Sequence, residues 1–201
     1  MSKYIDPKWD YREADTKEYT HSFHNYPAMM IPQIARELIV KYGKKASVLF
    51  DPYCGTGTSL VEANLVGIEA IGTDLNPLAR LISRAKTSIL DIDELAKQIA
   101  NYNNVIFEYR MGIRKMPTDG FPDFDNIEYW FDPRVISNLS VIKEYISQIQ
   151  NLNIRDFFQT AFSETVRDTS WTRNSEFKLY RMSEKQLEKF NPDVFGLMES
   201  K

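Results

Sequence analysis

The chain has 201 residues, a length that suits one domain or one domain with an insertion, and 43% of them are hydrophobic, enough to form a core. A net charge of −3 does not by itself indicate nucleic-acid binding, and one cysteine with two histidines argues against a disulfide framework and a metal site. The N-terminus lacks an apolar leader and no run of about 18 apolar residues occurs, so we expect a cytoplasmic protein without a membrane partner.

The N-terminal part of the chain predicts an irregular arm followed by a helix. Residues 1–20 are polar and charged, with scattered aromatic residues. A helix over 32–42 is predicted because Pro32 suits a first helical turn and Gly43 suits a helix end. Its predicted apolar stripe consists of Ile34, Leu38, Ile39 and Tyr42.

Two strand–helix units follow this first helix. Strands are predicted at 46–50 and 69–74, and each is followed by a helix. The first of these helices is expected to begin with a capping box formed by Ser59 and Glu62 and to end near Val66. The second begins at Asn76 and Pro77 and runs to about Lys86. This order of elements is typical of an α/β fold with parallel strands.

Beyond Lys86 the pattern changes to a helical one. A helix capped by Asp91 or Asp93 is predicted to run to about Ile113, and 116–126 is a predicted loop. Asp132 and Pro133 begin another helix, and apolar residues from Ile154 to Val166 repeat at helical spacing. Residues 169–182 show no clear period. The predicted fold class is therefore α/β, with only the first strands of a Rossmann-like sheet in 1–86 and a mainly helical region in 87–201.

The glycine-rich segment 49–63, LFDPYCGTGTSLVEA, predicts a ligand-binding turn between a strand and a helix. Its spacing is Asp51-x-x-x-Gly55-x-Gly57, which lacks both the lysine of a phosphate loop and the third glycine of a dinucleotide motif. Asp74 ends the next predicted strand, where an acid can accept hydrogen bonds from ribose hydroxyls. These features favour S-adenosylmethionine, a nucleoside carrying an amino acid. The alternative is a purely structural turn with Asp74 as a helix cap.

The sequence resembles the DNA amino-methyltransferases, which methylate N4 of cytosine or N6 of adenine. The resemblance is carried by the segments DPYCGTGTSLVEA and GTDLNPLA, and upstream of them by HSFHNYPAMMIPQIARELI. A later stretch, RDTSWTRNSEFKLYRM, also resembles one branch of these enzymes. Residues 21–86 are the most specific part. Membership in this family implies methylation of DNA, as in restriction–modification systems.

By this resemblance Asp51, Tyr53, Gly55 and Gly57 line the methionine side of S-adenosylmethionine, and Asp74 binds its ribose. Tyr26 and its neighbours close over the site from the N-terminal segment, while Asn76 and Pro77 pass beside the adenine. The predicted cofactor-binding set is Tyr26, Pro27, Ala28, Asp51, Tyr53, Cys54, Gly55, Thr56, Gly57, Thr58, Asp74, Leu75 and Asn76.

The catalytic motif of the family, (Asp/Asn/Ser)-Pro-Pro-Tyr, does not occur in this sequence, since none of its nine prolines are adjacent. That motif orients the target amine and stacks on a flipped-out base. Asp51-Pro52-Tyr53 imitates it but belongs to the cofactor turn. We therefore assign no catalytic residue and expect one half of a split enzyme, or a truncated product. A half-sheet also exposes a strand edge and an apolar face, so we expect a second chain or self-association.

Three further features have functional and structural interpretations. Cys54 is interpreted as a residue that lines the turn, not as a nucleophile. His21 and His24 are interpreted as contacts to cofactor, partner or DNA, or as structural residues, and not as a metal pair. A basic and aromatic cluster is either a DNA contact or an ordinary solvated loop. It comprises Arg167, Trp171, Arg173, Asn174 and Lys178.

Three functions remain open from the sequence alone. The first is the cofactor-binding half of a DNA methyltransferase, with DNA and a catalytic chain as partners. The second is a non-catalytic S-adenosylmethionine-binding or regulatory remnant. The third is part of an RNA guanosine methyltransferase, although the upstream His-Tyr-Pro-Ala type of segment favours DNA.

Overall fold

A computed structural model describes residues 6–117, 122, 124–173 and 178–201. The chain divides into two compact units, Met1–Ser88 and Ile89–Lys201. The first unit is mixed α/β and the second is helical. Among the described residues no helix is both long enough and apolar enough to span a membrane.

The first unit contains two parallel strands and three helices in the predicted β-α-β-α order. Its elements are α1 (Pro32–Tyr42), β1 (Val48–Asp51), α2 (Thr58–Leu65), β2 (Glu69–Gly72) and α3 (Pro77–Thr87), preceded by 3-10 turns at Pro7–Trp9 and Tyr19–Phe23. The two strands pair in parallel, with Phe50 opposite Ile71 and Asp51 opposite Gly72. Both strand ends therefore lie at the same edge of the sheet, where the predicted turn begins.

One face of this two-stranded sheet is covered and the other is exposed. On the covered side Gly72 lies against α2, where an added Cβ would come within 2.7 Å of atoms of Cys54 and Leu60. On the other side Val48, Phe50 and Ile71 are exposed, and Phe50 exposes 61% of its surface. Parallel sheets normally bury both faces, so this apolar face lacks its usual cover within the described residues.

Helix α1 confirms the prediction from Pro32 and Gly43, although its apolar stripe is only partly correct. Its buried residues include Ala35 and Ile39, whereas Leu38 and Tyr42 are exposed. Helix α3 begins as predicted, because the Asn76 side chain accepts a hydrogen bond from the N–H of Leu78 at 3.0 Å.

The capping box predicted for α2 is wrong. The helix begins one residue earlier than Ser59, and its N-cap is Gly57 in the left-handed conformation, with no side-chain cap. Ser59 donates its hydroxyl hydrogen bond to Asp51. Glu62 is instead fully buried and contacts His21 and Arg36. Both side chains therefore form tertiary contacts in place of the predicted cap.

The second unit consists of helices packed around one core. They are α4 (Ile92–Arg110), α5 (Ile127–Trp130), α6 (Pro133–Gln148), α7 (Leu152–Thr169), α8 (Glu184–Leu187) and α9 (Val194–Glu199). Asp91 caps α4 and Asp132 caps α6, as predicted, and α4 ends three residues before the predicted end. The core is formed largely by α4, α6, α7 and α9 and includes Tyr102, Ile106, Val135, Leu139, Ile142, Ile146, Ile154, Phe158, Val194 and Phe195.

The aperiodic segment after α7 folds back on itself in the part that the structure describes. Thr172 and Arg181 form an antiparallel bridge, and the N–H of Met182 donates to the carbonyl of Trp171 at 2.8 Å. This pairing is anchored where the N–H of Trp171 donates to the carbonyl of Trp130 at 2.7 Å. We call residues 171–173 together with 178–182 the paired segment.

Candidate functional site

The turn after β1 is held by hydrogen bonds to the carboxylate of Asp51. The N–H of Tyr53 donates to Oδ1 of Asp51 at 3.0 Å, and the hydroxyl of Ser59 donates to Oδ2. The backbone continues the strand pairing past β2, since Cys54 N–H donates to the carbonyl of Thr73 at 3.0 Å. Asp51 therefore fixes the turn between β1 and α2 while its carboxylate remains only partly buried.

Asp74, at the end of β2, binds the same turn from the other strand. Its Oδ2 accepts from the N–H of Gly55 at 3.0 Å, and its Oδ1 accepts from the N–H of Asn76 at 2.8 Å. A carboxylate has about four lone-pair sites, so two further acceptor positions remain for a ligand. The structure thus brings the two predicted acids, Asp51 and Asp74, to one glycine-containing turn.

The two glycines of the turn are both in the left-handed region, with φ of +50° at Gly55 and +81° at Gly57. At Gly57 the surroundings are also closed, because an added Cβ would overlap the side chain of Ser83 on α3. Gly57 therefore allows α2 and α3 to pack closely beside the turn. At Gly55 the space is open, so this glycine leaves the backbone accessible to a ligand.

The N-terminal segment reaches the same region. The hydroxyl of Tyr26 accepts a hydrogen bond from Nδ2 of Asn76 at 2.7 Å. A cavity of about 280 Å³ lies between this segment and the start of α2, and it is lined by Thr16, His21, Tyr26, Met29, Met30, Ile31, Pro32 and Thr58. Of the predicted cofactor residues, Tyr26 and Thr58 line this cavity. Pro27 and Ala28 are exposed and are not part of its lining.

A buried ionic network fastens the N-terminal segment to the helices. Glu62 on α2 is fully buried and accepts from Nε of Arg36 at 2.7 Å, and its Oε1 lies 2.9 Å from Nε2 of His21. Arg36 also donates to Glu18 at 2.8 Å. Burial lowers the pKa of His21, and the neighbouring Glu62 only partly opposes this effect. The network therefore links three segments through a single carboxylate.

Lys86, near the end of α3, is a second buried charge in this region. It exposes 4% of its surface, and its Nζ lies 4.0 Å from Sδ of Met29, which lines the cavity. Burial lowers its pKa to about 8. The positive charge of Lys86 also helps to lower the pKa of the His21 imidazole. Lys86 therefore lies next to Met29, which lines the cavity, and its charge acts on His21, which lines it too.

Cys54 has the properties of a residue that lines the turn. It is buried, and burial raises the pKa of its thiol, which disfavours the nucleophilic thiolate. Tyr53 and Leu75 are strongly exposed at the carboxyl ends of the strands. No group of side chains suited to hold a metal ion occurs among the described residues.

The predicted basic and aromatic cluster lies in the second unit. The Arg181 guanidinium lies over the rings of Tyr129 and Trp171, at 4.6 and 5.0 Å from their centroids, so Trp171 is already stacked within the protein. Arg173 and Lys178 are exposed and Arg167 is partly buried. Asn174 lies outside the described residues. Arg181 was not identified from the sequence.

The fold and the site define a mixed α/β protein with an acid at the end of each of two parallel strands and a glycine turn between strand and helix. Comparison with known proteins shows what this chain is similar to. Residues 2–84 match the family model described as DNA methylase. This match and the similarity to the Type II methyltransferases described next confirm the resemblance to DNA amino-methyltransferases.

Among curated proteins, the chain is 45% identical over 188 residues to the Type II methyltransferase M.MvaI of Kocuria varians, covering 90% of this chain and 41% of the relative. It is 30% identical over 97 residues to the Type II methyltransferase M.MjaII of Methanocaldococcus jannaschii, covering 48% of this chain and 18% of the relative. A tRNA (guanine(10)-N2)-dimethyltransferase of Methanothermobacter thermautotrophicus is 42% identical over 52 residues, 25% of this chain and 16% of the relative. The chain thus spans less than half the length of these relatives. No solved structure matches it significantly.

Sequence reasoning missed the roles of Glu62, Arg36 and Lys86. One signal was available, because Glu62 interrupts the apolar stretch from Leu60 to Ala63. A charge on the buried side of a short helix indicates a buried partner. Its partners could not be identified without the fold, since Arg36 and His21 lie far away in sequence.

Proposed function

We propose that this chain is the S-adenosylmethionine-binding part of a site-specific DNA amino-methyltransferase of a restriction–modification system. The observation that carries the proposal is the convergence of Asp51 and Asp74 on one glycine turn, in a segment that matches the DNA methylase family. The similarity to M.MvaI over 90% of the chain supports DNA as the substrate.

In this proposal Asp74 accepts hydrogen bonds from the ribose hydroxyls through the lone pairs that Gly55 and Asn76 leave free. Asp51 faces the ammonium group of the methionine part, either directly or through water. Asn76 and Leu75 border the adenine, and Tyr26 holds the N-terminal segment at that end through its bond to Asn76. The methionine end reaches toward the cavity beside Thr58. Cys54, Thr56 and Gly57 complete the wall by shaping the turn.

The same proposal assigns catalysis to further polypeptide, which we propose is a second chain. The exposed apolar face of Val48, Phe50 and Ile71 supports this assignment, because parallel sheets are stable when helices cover both faces. Both strands also present an unpaired edge within the described residues. Added strands would bring the Pro-Pro-Tyr motif that this sequence lacks to the carboxyl edge of β1, beside the cofactor turn.

DNA contact is proposed for the second unit. Arg173 and Lys178 are exposed cations on the paired segment and can contact phosphates, as can Arg167 beside it. Trp171 contributes by holding Arg181 and thereby fixing the segment. Asn174 remains a candidate DNA contact because it lies between Arg173 and Lys178 in the sequence.

A second function is favoured by one observation. The chain is similar over 52 residues to a tRNA (guanine(10)-N2)-dimethyltransferase, so part of an RNA methyltransferase is the alternative. A non-catalytic S-adenosylmethionine-binding protein is the alternative if no catalytic partner exists. The DNA enzyme is preferred because similarity to M.MvaI extends through the second unit.

Titration calorimetry with S-adenosylmethionine tests the cofactor site. We expect the wild-type chain to bind it and Asp74→Ala to weaken binding at least tenfold, because the ribose loses its acceptor. Asp125→Ala, at an exposed position of the second unit, serves as the control and should bind like wild type. Absence of binding by the chain, both alone and with its partner, would contradict the proposal. Methyl transfer to DNA by the purified chain alone would contradict the need for a second chain.

A further inference from the structure

The Lys86 ammonium is a buried cation for which the described part of the chain provides no carboxylate within ion-pair distance. Its nearest polar contact is the thioether of Met29, at 4.0 Å from Nζ. The buried carboxylate of Glu62 is bound by Arg36 and His21. The lowered pKa of Lys86 has desolvation as its cause. Lys86 is therefore charged at neutral pH without a neighbouring counter-charge.

Such a charge is costly to bury. The penalty for removing an ammonium from water is several kcal/mol after relaxation, and an uncharged side chain of similar length avoids it. The other buried residues of helix α3 are Ala79, Ile82, Ser83 and Ala85, so Lys86 is the one charged residue that this helix buries. The lysine therefore lowers stability unless an anionic group approaches it.

The position of Lys86 identifies where that anion comes from. Ser83, one turn earlier on α3, lies against Gly57 in the cofactor turn. Met29, which lies next to Lys86, and His21, whose pKa the Lys86 charge lowers, both line the cavity that also includes Thr58, the first residue of α2. The first N–H groups of α2 have no side-chain cap. The cavity is therefore bordered by the start of α2 at Thr58, and the Lys86 ammonium lies behind Met29 in its wall.

We propose that Lys86 selects the carboxylate of the methionine end of the cofactor, which enters the cavity beside Thr58. This inference rests on the proposed function. The flexible thioether of Met29 separates Nζ from the cavity, and a rotation of that side chain opens the path between the two charges. His21 is kept neutral by burial and does not compete for the carboxylate. Lys86 thus determines specificity, because it distinguishes a nucleoside that carries an amino-acid carboxylate from one that does not.

The test compares S-adenosylmethionine with decarboxylated S-adenosylmethionine, which differs by the carboxylate alone. Calorimetry on the full chain should show that the wild type prefers S-adenosylmethionine at least tenfold. Lys86→Met should reduce this preference to about twofold or less, while Lys86→Arg should retain most of it. Lys41→Met, which removes an exposed lysine of α1, should leave the preference unchanged.

The outcomes separate the two proposals. If the wild type binds neither compound, the proposed function fails. If it binds both and Lys86→Met keeps the wild-type preference, only the role of Lys86 is refuted. If Lys86→Met does not fold, Lys86→Gln, which also removes the charge, takes its place in the comparison at pH 7. A preference for S-adenosylmethionine that Lys86→Gln keeps at the wild-type level would overturn the inference.

Discussion

The hydroxyl of Tyr26 and the side-chain amide of Asn76 lie 2.7 Å apart, with the amide donating. This bond ties the N-terminal segment to the first turn of α3, because Asn76 is also the N-cap of that helix. A residue predicted to close over the cofactor and a residue predicted to border its adenine are therefore in direct contact. The attachment of the N-terminal segment and the start of α3 therefore depend on the same amide.

The first prediction concerns this contact. Tyr26→Phe removes only the hydroxyl, so the N-terminal segment loses one hydrogen bond worth about 1 kcal/mol. We expect S-adenosylmethionine binding to weaken by about threefold to tenfold in calorimetry, with little change in the melting temperature. Tyr42→Phe, at an exposed tyrosine of α1, is the matched control and should show no effect. Unchanged affinity of Tyr26→Phe would show that this bond does not support the site.

The second prediction compares two glycines with a left-handed φ, Gly57 in the cofactor turn and Gly67, which follows the end of α2. Gly57→Ala meets both an unfavourable φ and the Ser83 side chain, whereas Gly67→Ala meets only the unfavourable φ. In both variants, alanine in the left-handed conformation costs about 1 to 2 kcal/mol, and the overlap with Ser83 adds roughly 1 to 3 kcal/mol in Gly57→Ala. Urea unfolding should therefore find Gly57→Ala the less stable variant. Equal losses of stability in the two variants would mean that α3 moves to make room for the added methyl group without a measurable cost.

The third prediction concerns Glu62. Glu62→Gln keeps the shape of the side chain but removes the charge that pairs with Arg36, leaving a partly buried guanidinium without this partner. Removing one member of a buried ion pair costs about 3 to 5 kcal/mol. Glu108→Gln serves as the control, since its pair with Arg114 is at the surface and is worth at most about 1 kcal/mol. A loss no larger than that of the control, measured by chemical unfolding, would refute a stabilising network.

The fourth prediction is a pH dependence of stability caused by Lys86. Its pKa is about 8 in the folded chain and 10.5 when exposed, so between these values the unfolded state binds more protons. The lysine therefore destabilises the fold below about pH 8, and this penalty is relieved as the pH rises toward 10.5. Lys86→Met should be more stable than wild type by about 2 to 3 kcal/mol at pH 7. This difference in stability between Lys86→Met and wild type should shrink as the pH is raised. A difference that does not vary between pH 7 and pH 10 would disprove the shift.

The fifth prediction concerns the exposed sheet face. Phe50→Thr combined with Ile71→Thr replaces two cross-strand neighbours with a polar residue that still favours strands. Sedimentation velocity should show reduced self-association of the double variant, because the apolar face is removed. The control is Tyr42→Thr with Leu38→Thr, which changes exposed residues of α1. If the control variant loses association equally, the sheet face is not the contact surface.

The elements of this chain follow from local signals in the sequence. Pro32, Asn76 with Pro77, and Asp132 with Pro133 each mark a helix start correctly. The fixed φ of proline acts locally in all three, and a side-chain cap adds to it at Asn76 and Asp132. The capping box at Ser59 is wrong because Asp51 and Arg36, which lie elsewhere in the sequence, bind the two side chains more favourably. Local propensity yields to tertiary contacts where a charge is buried.

The candidate site is predictable in part for the same reason. The turn from Asp51 to Gly57 is contiguous, and its strand context identifies Asp74 as the second acid. Lys86 carries no such signal, since lysine at the end of a helix is ordinary on electrostatic grounds. Its burial depends on how the N-terminal segment passes over α3, and that arrangement is not encoded by any local pattern.

The bare side of the sheet has a consequence for the supply of this protein in a cell. If the second chain proposed above covers Phe50 and Ile71, a chain without that partner lacks part of its hydrophobic stabilisation. Molecules made in excess of that partner would unfold more often and be degraded sooner, since proteases act on the opened state. The amount of assembled enzyme would then follow the scarcer component, which sets stoichiometry without a dedicated regulator.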